Sequence, residues 1–326
     1  MPTVTLLGPQ RFTPTLGEAV ARAGIAGKLA SVTAGWQERE AEDLELHEHL
    51  GERTMNLMLY ARSEDALERD PELAAAYRER QEHLRELQEL YRSRLGYALT
   101  ALRELELRSG DPVLLTPERE SALQALRDLD THHLGRVDEI HAAFSRDWNP
   151  AGRPAIERHS RQIVRQLERA DGVALAGGHV AILVNRLRLF DMHVKLANKA
   201  IFAWAAGAMV ISERIILFHH FPPQGHGNTE LLERGLGLAR GLVLFPHARK
   251  RLALDDPRRV SLLARRFAPA QCIAMADGSW MALDERGYAP VQSLAFHGSG
   301  MSRLMPDGGV LALDVDGDDE ATGLSA

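Results

Sequence analysis

Residues 201–209, Ile-Phe-Ala-Trp-Ala-Ala-Gly-Ala-Met, have the form of a nucleophile elbow without its nucleophile. An apolar, strand-like run ends abruptly in small residues. A helical pattern then starts at Met209 and continues through Ile211, Ile215 and Ile216. In a G-x-S-x-G turn the small neighbours let the chain reverse from strand to helix, and the helix N-terminus favours developing negative charge. The frame here is Ala203-Trp204-Ala205-Ala206-Gly207. A methyl group cannot attack a carbonyl, so Ala205 marks an architecture for acyl transfer and lacks the atom that performs it.

Such chemistry also needs a base, a group that orients the base, and donors for the oxyanion. His247 follows the apolar run 242–245, and α/β sheets place their sites at strand C-terminal ends. Gly177-Gly178 closes another such run, 172–176, where glycine lets backbone N–H groups approach a ligand. The Ala206 amide, next after the nucleophile position, is the second expected oxyanion donor, with Gly178 the first. Asp277 lies at a further strand end and is placed to orient the imidazole. No other nucleophile substitutes. Cys272 sits inside an apolar run and reads as a small buried hydrophobe. Ser212 falls almost two helical turns past Ala205, about 10 Å along the axis.

The remaining histidines do not assemble a metal site. His47 and His49 point to different faces of a helix, adjacent His132 and His133 cannot face one ion, and His133 and His141 are about 12 Å apart along the axis. Neither a metal nor a cofactor is expected. The loop carrying His219, His220 and His226 is rich in turn formers. A run of cations, Arg249, Lys250, Arg251, Arg258, Arg259, Arg265 and Arg266, follows His247. With Arg249 and Arg251 nearest the histidine, it predicts attraction for a carboxylate-bearing ligand.

The elements that must position these residues read as α/β. Strand runs at 4–7, 29–33 and 55–60, with an amphipathic stretch at 16–23, make a βαβ opening and a parallel sheet. From Pro71 to Arg108 the apolar spacing of three, four or seven is helical, through Leu73, Tyr77, Leu84, Leu87, Tyr91, Leu95, Ala98, Leu102 and Leu105. Ser109-Gly110-Asp111-Pro112 breaks it, and a second helical pattern runs from Pro117 to about Trp148. The α/β pattern resumes after Asn149-Pro150, with a helix at 156–169 and strands at 172–176, 200–204, 242–245, 272–276, 280–283, 291–296 and 310–313. The predicted division is residues 1–62 as the first part of an α/β domain, 63–150 as an inserted α-helical hairpin, 151–314 as the second part with the elbow, and 315–326 as a flexible tail.

Bulk properties exclude several classes. The 326 residues carry 39 Lys and Arg against 45 Asp and Glu, a net charge of −6, which gives no global reason to expect nucleic acid. The single cysteine rules out an intrachain disulfide and a multi-thiolate metal site. Neither a signal pattern nor an apolar run long enough for a membrane span is present in the sequence, which predicts a cytoplasmic protein with no membrane partner.

Taken in order, these motifs resemble the dipeptidase E and cyanophycinase branch of serine peptidases. That branch shares its fold with class I glutamine amidotransferases. Its Gly-Gly-Asp-Gln or Gly-Gly-Asn-Thr loop is matched by Gly177-Gly178-His179-Val180, and its Gly-Thr-Ser-Ala-Gly-Ala elbow by Ala203-Trp204-Ala205-Ala206-Gly207-Ala208. Gly235-Leu236-Gly237-Leu238 precedes His247 as a similar segment precedes the family histidine, and Asp277-Gly278-Ser279 resembles its late acidic turn. The similarity covers about residues 155–285, is fainter over 1–60 and omits the hairpin. It implies a mostly parallel three-layer α/β sandwich and a serine-dependent peptidase or amidase ancestry. His247 would be the base, with Gly177, His179, Arg249 and Arg251 on the substrate. Ala205 and Ala203 depart from the family at the serine and the first elbow glycine. Val180 replaces the cyanophycinase glutamine, which argues against cyanophycin as substrate.

Two explanations of Ala205 stay open: a natural pseudoenzyme that keeps its pocket for a peptide or small amide-containing ligand, or an active hydrolase inactivated by a Ser→Ala substitution. A third reading makes the hairpin the working part of an interaction protein, with a homo-oligomer as one form.

Overall fold

A computed structural model describes residues 3–218, 227–283, 295–297 and 300–313. The histidine-bearing loop at 219–226, the start of the run 291–296 and the tail at 315–326 lie outside the described residues. The short apolar runs pair as the βαβ pattern requires. The strands are β1 (Val4–Leu7), β2 (Leu29–Val32), β3 (Thr54–Asn56), β4 (Gly172–Leu175), β5 (Ala200–Trp204), β6 (Arg214–Leu217), β7 (Glu230–Arg234), β8 (Leu242–Pro246), β9 (Gln271–Met275), β10 (Trp280–Ala282), β11 (Ala295–His297), β12 (Met301–Leu304) and β13 (Val310–Ala312).

Strands β1 to β5 lie parallel in the order β1-β5-β4-β2-β3, and β10 and β11 extend the β1 edge antiparallel. Every residue of β2, β4 and β5 is buried, which matches a composition that is apolar apart from Ser31. The strand carrying His247 is not in this sheet. β8 pairs parallel with β9 in a second sheet, β13-β12-β9-β8, and β6 and β7 form a separate antiparallel pair. The molecule is therefore a mixed α/β structure whose described strands divide among several sheets.

Two element boundaries differ from the sequence reading. The run 55–60 is strand only to Asn56, because Met58 turns into the left-handed region and a helix starts at Leu59. The buried Glu40 carboxylate accepts from the Tyr60 and Ala61 amides and caps that helix from a distant part of the chain. The elbow helix stops at Ile211, and Ile215 and Ile216 belong to β6. Ser212, extended at φ −71° and ψ 178°, donates to the Met209 carbonyl and ends the helix. A paired β-branched run favours the strand once β7 is alongside.

The helices Pro71–Leu107 and Pro112–Trp148 pack along one another. Each opens with proline at its first position after an aspartate that caps it: Asp70 accepts from Leu73 N and Asp111 from Val113 N. The second helix begins at Pro112, five residues before the expected Pro117. Val113, whose carbonyl Pro117 cannot bond, is exposed to water. The stripe residues Leu73, Tyr77, Tyr91, Leu95 and Leu102 are buried, while Leu84 and Leu87 are half-buried.

This hairpin is built into the rest of the molecule. Arg266, 2% exposed, donates Nε and Nη2 to the two Asp130 carboxylate oxygens at 2.7 Å each, and Nη1 to the Thr229 carbonyl at 2.8 Å. Tyr91 donates to Asp130 at 2.8 Å and accepts from Arg266 Nη2 and Leu231 N. One junction thereby joins both hairpin helices, β7 and the helix Pro257–Arg266. At the other end Arg186 Nη1 donates to Tyr77 OH, and Arg80 and Gln81 donate to Asn185, which braces the helix Val180–Leu189.

Removing one partner of a buried ion pair leaves an uncompensated charge. Asp130→Ala is expected to lower the unfolding free energy by about 3–5 kcal/mol. Replacing both partners by apolar residues, Asp130→Leu with Arg266→Met, is expected to recover most of that loss. Urea denaturation of the two variants and the parent checks both.

Candidate functional site

β5 ends at Trp204, and the next residue carries the turn. Ala205 has φ 51° and ψ −122°, a conformation that disfavours any side chain, and its amide donates to the Leu7 carbonyl at 3.2 Å. Such a residue costs about 1–3 kcal/mol and persists only where its surroundings over-determine it. The surroundings are tight. A Cβ on Gly177 would lie 2.9 Å from Ala205 Cβ, and one on Gly207 would lie 2.4 Å from the Leu175 carbonyl. The elbow is therefore clamped between the loop after β4 and its own helix. Ala206 is the first residue of that helix, where the backbone N–H has no acceptor inside the helix.

The loop after β4 adopts φ 115° at Gly178, where a Cβ would meet the Gly35 carbonyl at 2.4 Å. That approach is fixed by His179 N donating to Gly35 O at 2.8 Å. His179 caps the following helix, its Nδ1 accepting from Ile182 N at 3.3 Å, so the neutral ring carries its proton on Nε2. His247 sits just past β8 in the left-handed region, φ 59° and ψ 25°, with its amide bonded to the Met275 carbonyl. Its Nδ1 is 3.8 Å from Asp277 Oδ1, close enough for charge to act but longer than a hydrogen bond.

A cleft of about 540 Å³ opens where these segments meet. Gly178, His179, Ala205, Ala206, His247 and Arg251 line it, together with an apolar set that includes Val180, Met209, Phe218 and Leu232. Six of the nine sequence-selected positions therefore share one cavity, although two separate sheets deliver them. Gly177 lies behind the elbow and packs against it. Asp277 is not among the cleft-lining residues, and Lys250 also approaches it at 3.9 Å. Arg249 is exposed and does not line the cleft.

The basic run is not one patch. Arg251 reaches the elbow cleft, Arg265 pairs with Glu106, Arg266 is the buried partner of Asp130, and Arg258 and Arg259 line a different cavity. Among the described residues no serine, threonine or cysteine lines the elbow cleft. Ser212 is bound to backbone carbonyls, and burial pushes the Cys272 thiol up to about 12. Among the described residues no group of three His, Cys, Asp or Glu is arranged to hold a metal ion, and no helix is long and apolar enough to cross a membrane. His133 stacks on Tyr91 with Nε2 at the Leu232 carbonyl, and His141 bonds Glu233.

The sequence placed the segment starting at Phe218 next to the site, and gave no indication of the walls contributed by Leu217 and Leu232. The sequence Glu230-Leu-Leu-Glu-Arg234 does not alternate, since its two leucines are adjacent and Glu233 is buried, so the side it turns to the cleft is set by the fold. The approach of Gly35 to Gly178 left no signal in either segment.

No family model matches the chain, and neither does any curated protein. Among solved structures, a peptidase from an acI-B1 Actinobacterium is similar over 97% of this chain and 95% of that one, at 12% identity and a TM-score of 0.46.

Burial, then the charge of Arg251, lowers the His247 pKa below its ordinary value, while Asp277 pulls the other way. A histidine whose pKa the fold lowers contributes stability above its unfolded pKa of about 6.5 and loses it as pH falls from there through the lower folded value. Arg251→Gln is expected to raise the His247 titration midpoint and Asp277→Asn to lower it, read from the imidazole proton resonances. At the elbow, Ala205→Gly should raise the unfolding free energy by about 0.5–1.5 kcal/mol by relieving positive φ. Gly177→Ala should lower it by about 1–3 kcal/mol through overpacking. Paired denaturation curves check these signs.

Proposed function

We propose that this chain carries a serine-peptidase-type site kept as a binding pocket for a peptide or small amide-containing ligand, without hydrolysis at position 205. The observation that carries the reading is Ala205, held at φ 51° and ψ −122° between a strand and a helix on the cleft that also takes in Gly178, Ala206 and His247. A strained turn with no nucleophile is a cost without catalytic return. It is explained if the turn still presents the Ala206 amide and the helix start to a ligand oxygen.

In this reading the Gly178 and Ala206 amides receive the ligand carbonyl or carboxylate oxygen. His179 and His247 flank it, and Arg251 supplies positive charge for an acidic ligand. The apolar wall of Val180, Met209, Phe218 and Leu232 takes the side chain or methylene part. The ancestral fold would be that of the dipeptidase E and glutamine amidotransferase group, with His247 as base and Asp277 as its electrostatic partner. The hairpin is less suited to be an independent interaction module, because both its helices contribute to the buried Arg266 junction.

Calorimetric titration with acidic, neutral and basic dipeptides tests the binding. Acidic dipeptides are expected to bind best, and Arg251→Gln to weaken them about tenfold. Equal binding of basic dipeptides would sink the charge argument. Ala205→Ser tests the architecture: the variant is expected to acquire labelling by a fluorophosphonate at residue 205, and His247→Gln in that background to remove it. An Ala205→Ser variant that is folded, binds the dipeptide and remains unlabelled would show that His247 does not serve position 205.

A further inference from the structure

A second cavity, of about 270 Å³, opens between the hairpin and the start of the helix Pro257–Arg266. Its walls bring together Arg103 from the hairpin with Arg258 and Arg259 from the helix, over a floor that includes Leu99, Leu262 and Leu263. The three arginines have no side-chain ion pair or hydrogen bond among the described residues. Two carboxylates, Glu106 and Asp256, also line the cavity, and each already has hydrogen-bond partners. Asp256 caps the helix, accepting from the Arg258 and Arg259 amides at 3.0 and 3.3 Å, and Glu106 is 3.3 Å from Arg265. Arg266, the fourth arginine of the walls, is neutralised by Asp130.

Arg259 is the informative member. Its Nε and Nη2 are buried and have no hydrogen-bond partner. Burial, then the neighbouring charge of Arg103, lowers its pKa from the ordinary arginine value. A partly buried cation beside another cation, with no acceptor, is costly for the chain alone. Arg266 shows a buried guanidinium bonded at all three nitrogens, and among the buried nitrogens of Arg80 and of Arg186 only Nε lacks a partner, whereas Arg259 lacks one at two nitrogens. Asp256 acts on Arg259 only through space, and among the described residues no carboxylate bonds its guanidinium.

We propose that this cavity binds a phosphate group, free or carried on a small, partly apolar molecule, through Arg103, Arg258 and Arg259. A phosphate dianion has enough charge and acceptor oxygens to engage more than one guanidinium, which a single carboxylate does less well. The leucine floor suits a compact apolar substituent, and the cavity volume restricts it to a small one. The site is separate from the elbow cleft, with which it shares no wall residue.

The test is calorimetric titration of the full chain in a phosphate-free buffer at low salt, with inorganic phosphate, phenyl phosphate and benzoate as probes. Saturable binding of the two phosphates is expected, with benzoate at least about tenfold weaker. Tighter binding of phenyl phosphate assigns a phosphate monoester, and equal binding assigns free phosphate; either supports the site. Arg259→Gln and, on the exposed hairpin surface, Arg103→Gln should each weaken phosphate binding about tenfold, and Arg259→Lys should not restore full affinity. Absence of saturable binding up to about 10 mM would overturn the proposal, since that is weaker than a useful site. So would benzoate binding as tightly as phenyl phosphate. Binding that survives Arg259→Gln and Arg103→Gln but is lost in Arg251→Gln would also overturn it, by assigning the anion to the elbow cleft.

Discussion

A guanidinium with almost no exposure to water joins the separate parts of this molecule. Arg266 closes the helix that follows the His247 strand, and its partner Asp130 lies in the middle of the second hairpin helix. Tyr91 from the first hairpin helix binds both groups and accepts the Leu231 amide of β7. A charge at this depth is costly unless its donors find acceptors, and each partner of Arg266 comes from a different segment. The constraint is therefore mutual. The hairpin, β7 and the second sheet must meet at one relative position or leave a charge unpaired.

That position determines what can converge at the elbow. The five parallel strands bring Gly178 and Ala205 to the ends of β4 and β5, but His247 comes from a strand of another sheet. β7, which the Arg266 junction anchors, supplies Leu232 to the cleft wall. The helix bearing His179 at its cap is held from the opposite end of the hairpin through Asn185 and Arg186. The cleft is thus the meeting point of three separately built pieces. The strain at Ala205 is sustained by contacts with the loop after β4 and with the helix that follows the turn.

The two cavities differ in how they use charge. The elbow cleft combines an apolar wall with backbone amides, two imidazoles and Arg251 at its edge. The cavity beside the hairpin concentrates guanidinium groups next to carboxylates that already have hydrogen-bond partners. On a chain of net charge −6 both are local exceptions to the overall balance.

Local order was legible in the residues themselves. The apolar run 200–204 followed by small residues is a strand ending in a sharp turn, because a side chain on Gly177 or Gly207 would collide with the neighbouring segment. The four-residue steps Leu73–Tyr77 and Tyr91–Leu95, with Asp70-Pro71 at the start of the first helix, set out the hairpin because capping and periodicity act within a few residues, although Asp111-Pro112 reads as the break and opens the second helix. What required the tertiary structure was each feature whose cause lies far along the chain. The run 215–216 is a strand because β7 pairs with it, and 57–60 turns to helix because Glu40 caps it. The cations after His247 look like one field in sequence. Only the fold shows that Arg251 faces the elbow, Arg266 is neutralised by a residue 136 positions away, and Arg259 is left without an acceptor. Charge partners are chosen by proximity in space, and a linear pattern carries no record of that proximity.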